Sequence, residues 1–591
     1  MSPQISEPIQ RTVRNGEVEL AVYEYGVFDG PTLVLVHGWP DTHRLWDNLL
    51  PRLTDRFHVV GYDVRGHGGS TDPGDHRGFR IPELAKDFRA VIDAVSPDEP
   101  VHVLAHDWGS VTVWDAVCEP DAELRVASFT SVSGPNLDHA GLWARRRFAR
   151  PTPGNLAGPL SQLASVAYQF AFMTPVVPGA VMRLGGERMF RLGLRLAQGT
   201  PMDRVTLAET FPDDAANGLQ IYRANLVVGK VLSARERRTK VPVQLIVPAY
   251  DPAVRPAVFD DEAEWTERLW RRDLKAGHWV PYSHPEALAG AAIQLIDAVS
   301  GQEPARELRR AEVGRPRGRA FEDHLVVVTG AGSGIGRETA LAFARLGAEV
   351  VVSDIDPAAA RETASLIAEF DGLAYPYALD VANEAAVEAH AEEIAAVHGV
   401  PDVVVNNAGV AQAAPFLRTP SASFKRVIDI NFFGVVHGSR AFGKLMAERG
   451  WGGHIVNVSS MAAYTPQQGF SAYSTSKSAV FTFSDCLRAE LAADGIGVTT
   501  VCPGIVHTNI VRTTEFSGVS AEQQDRRQRI FDRLYRMRSY PPSKVAGAIV
   551  AAVQHNRAVV PVTPEAWAAY YGTRLTPPSL LRFGIARARL A

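Results

Sequence analysis

Nine short Val- and Ile-rich runs, each followed by a turn of small or polar residues, most constrain how this chain folds. Four lie in the first half: TLVLVHG (32–38), FHVVGYD (57–63), VHVLAHD (101–107) and VPVQLIVP (241–248). Five lie in the second: HLVVVTG (324–330), EVVVSD (349–354), DVVVNNAG (402–409), HIVNVSS (454–460) and GVTTVCPG (497–504). Continuous apolar runs suit strands covered on both faces. Their alternation with helical stretches predicts an α/β fold class with parallel, doubly wound sheets in both halves. The halves share no motif spacing, so the chain reads as a fusion rather than a repeat. Its 591 residues exceed what one hydrophobic core of about 250–300 residues holds, which also points to two domains.

Charge and cysteine usage narrow the function classes. A formal net charge of −4 gives no whole-chain attraction for nucleic acid. Cys118, Cys486 and Cys502 are odd in number and lack metal-ligand spacing, which predicts neither a disulfide framework nor a metal site. The N-terminal segment has no apolar h-region, and no stretch of about 20 apolar residues occurs, so a soluble cytoplasmic protein is expected, with peripheral membrane contact left open. The Arg-, Gly- and Pro-rich stretch at 306–320 reads as an exposed linker between domains at 1–305 and 321–591.

In VHVLAHDWGS a strand runs into a helix through small–x–Asp–x–small, formed by Ala105, Asp107 and Gly109. A sharp strand-to-helix turn needs small residues on both sides of its tip and leaves the tip side chain exposed above the sheet. A carboxylate at that tip can attack an electrophilic carbon and form an ester that water cleaves. His37-Gly38-Trp39-Pro40 follows an earlier strand, where a loop can supply backbone N–H to an oxyanion. Asp251 and His278 follow later strands, giving the chain order nucleophile, acid, histidine. His106 and His284 read as structural histidines.

The motifs HGWPD, DVRGHGGS, HDWGS and GHW together resemble the epoxide hydrolase and haloalkane dehalogenase branch of the α/β-hydrolase family, over about residues 15–300. The resemblance implies Asp107 as nucleophile, His278 as general base and Asp251 as the residue orienting it. It implies backbone N–H groups of Trp39 and Trp108 as the oxyanion hole. It also implies a helical cap at about 136–235, whose tyrosines, Tyr168 and Tyr222, hold and protonate an epoxide oxygen. Dehalogenation, with the Trp108 side chain at the halide, is the alternative.

The second half opens with VVVTGAGSGIGRETA, a strand, a Gly-rich turn and a helix. Gly330, Gly334 and Gly336 admit a pyrophosphate at a helix N-terminus, and Asp354 ends the next strand, placed for ribose hydroxyls. Ser460 precedes Tyr473 by thirteen residues, and Lys477 follows it by four. A Tyr and a Lys at i and i+4 share a helix face, so the ammonium can lower the phenol pKa and fit it for acid–base work on a carbonyl or alcohol.

With NNAG at 406–409, this half resembles the short-chain dehydrogenase/reductase family over about residues 321–560. The resemblance implies a Rossmann-type sheet and a catalytic set of Asn431, Ser460, Tyr473 and Lys477. The implied cofactor contacts are Gly330, Ser333, Gly334, Ile335, Gly336, Asp354, Asp380, Val381, Asn407, Ala408, Gly409, Tyr473, Lys477, Pro503, Gly504, Val506 and Thr508. Asp354 repels a 2′-phosphate and Ser333 is not basic, which favours NAD over NADP. Substrate specificity is expected at about Thr508 to Ser539, and the tail from Leu575 is expected in packing, in oligomer contact or at a membrane surface.

Across its length the chain resembles actinobacterial, mycobacterial-type fusions of an epoxide hydrolase with a short-chain dehydrogenase. That implies small-molecule substrates, a lipid-related or detoxifying role, and a homo-oligomer formed through the dehydrogenase half. Oxidation of the diol made by the first half is a route open to such a fusion. A silent scaffold or binding half is the alternative of a different class.

Overall fold

A computed structural model describes residues 7–225, 234–316, 318–507, 514–516, 520, 522–526, 528–529 and 540–575. The chain divides into two compact units, Met1–Arg315 and Pro316–Ala591.

The first unit is built on an eight-stranded sheet in the order β1-β2-β4-β3-β5-β6-β7-β8. The strands are β1 Ile9–Asn15, β2 Val18–Gly26, β3 Thr32–Val36, β4 His58–Tyr62, β5 Val101–His106, β6 Val126–Val132, β7 Val243–Pro248 and β8 Leu269–Leu274. From β4 to β8 every pairing is parallel. The expectation of a wholly parallel sheet needs correction, because β1–β2 and β2–β4 pair antiparallel. The Gly16-Glu17 turn between β1 and β2 is too short for a parallel crossover, and Gly16 takes the positive φ of 62° that such a turn requires. Val34, Val103, Val113, Phe129 and Leu245 belong to one buried core across this sheet. Helices from Leu137 to Ala224 form an insertion between β6 and β7.

The predicted linker is also corrected. Residues Arg306–Ala311 form a helix, Leu308 is fully buried against Trp270 and Leu295, and Glu312 bridges antiparallel to Trp270. Two apolar residues three apart, Leu308 and Ala311, suffice to seat one short helix, too brief a period to stand out among arginines.

The second unit holds a seven-stranded parallel sheet in the order β11-β10-β9-β12-β13-β14-β15. Its strands are β9 Leu325–Thr329, β10 Glu349–Asp354, β11 Ala374–Ala378, β12 Val403–Asn406, β13 Gly453–Val458, β14 Ile496–Cys502 and β15 Val559–Pro561. Val326 and Val328 face one buried core while Val327 faces another, as expected of a strand covered on both sides. Chain order reverses between β9 and β12, and a crevice opens at the carboxyl ends of strands at such a switch point.

Candidate active sites

In the first unit, Asp107 sits between β5 and the helix Trp108–Val117 with φ 49° and ψ −126°. That backbone is unfavourable for an L-residue, and it is held by close packing of its neighbours. A Cβ on Gly109 would collide with the carbonyls of Val36 and His37, and one on Gly134 with the Asp107 carbonyl. The turn therefore works only with glycine at these points, and it lifts the Asp107 carboxylate above the sheet.

Three loops converge on that carboxylate. From the loop after β3, Trp39 N donates to Asp107 Oδ2 at 3.1 Å. From the loop after β8, His278 Nε2 lies 3.5 Å from Asp107 Oδ1. The other ring nitrogen of His278, Nδ1, lies 2.9 Å from Asp251 Oδ2, three residues past β7. The second Asp251 oxygen accepts the backbone N–H groups of Ala253 at 2.7 Å and Val254 at 2.9 Å. Burial alone would raise the Asp251 pKa, but the His278 ring and these N–H groups hold it below the usual carboxylate range. Burial pulls the His278 ring down, yet the Asp251 and Asp107 carboxylates outweigh it and hold its pKa up to about 10. His278 therefore rests as an imidazolium.

The helical insertion closes over Asp107 with an aromatic wall. The Tyr222 ring lies 5.4 Å from Trp39, 5.3 Å from Trp108 and 5.4 Å from Phe172, while Tyr168 lies 5.2 Å from Phe172. The Tyr222 ring meets Trp108 edge-on, and the Tyr168 ring lies 6.3 Å away. Burial, with the Asp107 carboxylate nearby, raises the Tyr222 phenol well above its ordinary value. Burial and Asp107 push Tyr168 up to about 12. Both phenols thus stay protonated donors.

His106 Nε2 lies 3.0 Å from the His278 carbonyl, and burial lowers its pKa to about 4. His284 lies next to Ser283 Oγ at 2.9 Å, at the head of Pro285–Val299. Sequence reasoning missed Asp41, treated only as the last letter of HGWPD. It is buried and accepts Trp279 Nε1 at 2.9 Å and Tyr282 OH at 2.7 Å, tying the Trp39 loop to the His278 loop. An acid three residues past a conspicuous His-Gly pair is the signal that marks it.

In the second unit, a cavity of about 1030 Å³ opens at the sheet's carboxyl edge. Of the expected site residues, Gly330, Ser333, Gly334, Ile335, Asp354, Asp380, Val381, Asn407, Ala408, Gly409, Ser460, Tyr473, Lys477, Pro503, Gly504 and Val506 line it. Thr508 lies outside the described residues. Gly336 is buried and is not among the residues that line the cavity. A Cβ there would strike the Gly330 carbonyl, so this glycine lets the helix Gly334–Arg345 pack onto the turn. Asn431 also sits behind the wall: Val410 N donates to its Oδ1 at 2.8 Å, and its Nδ2 donates to Val410 O at 2.9 Å and Ser476 Oγ at 3.1 Å. It braces the strand-end loop against the helix Ser471–Glu490. Arg426, Met461, Gln467 and Phe470, not singled out from sequence, also line the cavity, as does Thr514 from the expected specificity segment. Most of that segment, and the tail after Leu575, lie outside the described residues.

The chemistry-bearing groups are prearranged. Lys477 Nζ donates to the Val458 carbonyl at 2.9 Å and lies 5.9 Å from the centre of the Tyr473 ring. Burial lowers its pKa to about 8. The cradle of the Gly-rich turn fits a dinucleotide. Gly330 and Gly334 adopt positive φ of 63° and 55°, and a Cβ on Gly330 would come within 2.7 Å of Ala408 Cα. Asp354 accepts Gly332 N at 2.8 Å and Asp356 N at 3.0 Å, which fixes its carboxylate beside the turn. Arg337 is turned back onto the Gly332 carbonyl and paired with Glu362 at 2.8 Å, leaving it poorly placed to meet a 2′-phosphate.

These two units define an α/β-hydrolase-fold enzyme joined to a short-chain dehydrogenase/reductase. Residues 31–285 match the family described as alpha/beta hydrolase fold, and residues 324–516 match the short chain dehydrogenase family. The chain is 52% identical over 569 residues to "Probable oxidoreductase EphD" of Mycobacterium tuberculosis, spanning 95% of this chain and 96% of that protein. It therefore belongs to the mycobacterial-type family that fuses these two enzymes. Its second half is also 36% identical over 249 residues to the M. tuberculosis oxidoreductase SadH, covering 42% of this chain and 88% of SadH. A short chain dehydrogenase/reductase of Burkholderia phymatum solved with NAD is 28% identical, covering 43% of this chain and 93% of its own at a TM-score of 0.40.

Proposed function

We propose that the first unit hydrolyses epoxides to vicinal diols through an ester on Asp107. The carrying observation is the placement of one carboxylate between a histidine base and two protonated phenols. Trp39 N holds Oδ2, which leaves Oδ1 as the attacking atom. As Oδ1 bonds to an epoxide carbon, that carbon's bond to the ring oxygen breaks, and Tyr168 and Tyr222 donate to the oxygen. Esterification removes the Asp107 charge that helps hold the His278 ring protonated. The ring then gives its proton to the phenol that protonated the ring oxygen, and the neutral imidazole takes one from water. Water adds to the Asp107 carbonyl carbon, and the oxyanion on Oδ2 is held by Trp39 N and Trp108 N. Collapse breaks the bond to Oδ1, which leaves with the diol as it takes a proton from His278.

A dehalogenase needs indole or amide N–H groups free to hold a halide. Here Trp39 Nε1 donates to the Ala215 carbonyl at 2.9 Å. That engagement favours the epoxide reading. With styrene oxide as substrate, Asp107→Ala should abolish diol formation; an unchanged rate rejects the assignment.

For the second unit we infer NAD-dependent interconversion of an alcohol and a carbonyl compound. Gly330 to Gly334 and the N-terminus of the helix Gly334–Arg345 would hold the pyrophosphate, and Asp354 the adenosine ribose. A bound nicotinamide dinucleotide supplies or accepts the hydride. Tyr473 gives or takes the proton at the substrate oxygen, Ser460 hydrogen-bonds that oxygen, and Lys477 favours the ionised phenol. Asn431 orders the helix that carries Tyr473. NADH and NADPH fluorescence titrations test the cofactor preference: tighter NADH binding, narrowed by Asp354→Ser, is expected, and tighter NADPH binding rejects it.

A further inference from the structure

The helical insertion of the first unit carries a surface that neither active site uses. Residues 151–200 hold four arginines, Arg183, Arg188, Arg191 and Arg195, and one acid, Glu187, so the segment is positive in a chain of net charge −4. Its large apolar side chains point outward: Leu184 is 90% and Leu196 74% exposed, and Val177, Val181, Met189 and Leu192 are exposed as well.

These six residues form one stripe. Val177, Val181 and Leu184 step by four and three, and Met189, Leu192 and Leu196 step by three and four. The five-residue step from Leu184 to Met189 coincides with a π-helical turn at Met182–Gly186. A π turn absorbs one extra residue, so both groups stay on one side of the helical run. Arg188 and Arg195 flank the stripe and have no ion-pair partner among the described residues. By contrast, Arg183 pairs with Asp213 and Arg191 with Glu187. The opposite side faces inward: Leu194 is buried, and the Phe190 ring lies 4.8 Å from Trp279, the neighbour of His278.

We propose that this stripe seats the protein on an anionic lipid bilayer, with the helical run Val177–Gln198 lying in the membrane plane. An exposed apolar face flanked by unpaired arginines is the pattern that buries side chains at the acyl boundary and sets guanidinium groups on lipid phosphates. Among the described residues no single helix is long and apolar enough to cross a membrane, and an 88° bend separates Pro153–Phe172 from Val177–Gln198. That shape suits lying on a bilayer rather than crossing it. A second copy is a poorer occupant, because a symmetric contact would set the same arginines against each other.

The test is sedimentation of the full-length protein with vesicles of phosphatidylcholine alone or mixed with phosphatidylglycerol. Salt-sensitive binding to the mixed vesicles is expected. Arg188→Gln with Arg195→Gln should weaken it about 25-fold, at roughly fivefold per arginine. Leu184→Ser with Leu192→Ser and Leu196→Ser should weaken it by at least about tenfold. Melting temperatures identify any variant that fails to fold, and the exposed arginine pair then carries the result. The proposal is overturned if the unaltered protein ignores anionic vesicles, or if the folded variants bind them undiminished. It is also overturned if the leucine variant turns a dimer into a monomer. None of these readouts depends on the epoxide reading.

Discussion

Replacing Asp251 by Asn exchanges one oxygen for an amino group, and the surrounding structure dictates which one. Oδ1 accepts two backbone N–H groups, from Ala253 and Val254, so the amide oxygen must take that place. The NH2 group then faces His278 Nδ1, which until now has donated to Oδ2. To avoid two opposed donors, the imidazole must carry its proton on Nε2, the nitrogen that faces Asp107. A ring protonated there cannot take a proton from water. The first half of the reaction needs only Asp107 and the phenols, so the ester still forms while its hydrolysis slows. Tautomer reversal of this kind costs roughly ten-thousand-fold in turnover. Exchange of the charged acceptor also costs about 1.5–3 kcal/mol of stability, a loss of several degrees in melting temperature. Rapid quench with styrene oxide, followed by intact-mass measurement, should show one substrate added per chain and diol release slowed by at least about a thousand-fold. Turnover within tenfold of the unaltered protein, or slow turnover without a trapped ester, would refute this reasoning.

Other outcomes follow from the same geometry. Tyr222→Phe removes a donor to the ring oxygen and should slow epoxide opening by roughly a hundred-fold, read as slower ester formation in the quench experiment. The His278 pKa is raised from 6.5 to about 10 in the fold, so its contribution to stability is complete below pH 6.5 and is lost as pH rises through about 10. Thermal melts should show that loss, and Asp107→Asn should reduce it by removing one supporting charge. Tyr473→Phe should abolish NAD-linked turnover of secondary alcohols while leaving epoxide hydrolysis intact, and Asp107→Ala should do the reverse. Loss of both activities from either change would point to one shared site.

The motifs were legible where backbone crowding dictates residue type. Asp107 stands out because only small residues fit beside its turn, and Gly330 because Ala408 comes so close. The Val-rich runs announced both sheets, since strands covered on two faces leave no polar alternation. What was lost was carried by short or local cues. The antiparallel hairpin of β1 and β2 turns on two residues, and the helix at Arg306–Ala311 rests on Leu308 and Ala311. Asn431 and Gly336 belong to the expected set, yet spacing does not reveal that they act from behind the cavity wall. The bracing by Asp41 joins residues more than 230 apart, a pairing that no local pattern encodes. Polar residues that serve other side chains, rather than a ligand, leave little signature in one sequence.

The ester on Asp107 is tested most directly by a single turnover, with enzyme in excess over styrene oxide, in water enriched in heavy oxygen. In the proposed mechanism the diol leaves with Oδ1 of Asp107, and the oxygen from water stays on the carboxylate. The first-turnover diol should therefore carry only light oxygen, and the peptide containing Asp107 should gain the heavy isotope. Heavy oxygen in that first diol, with an unlabelled Asp107 peptide, would mean that water attacks the epoxide directly and would contradict the account.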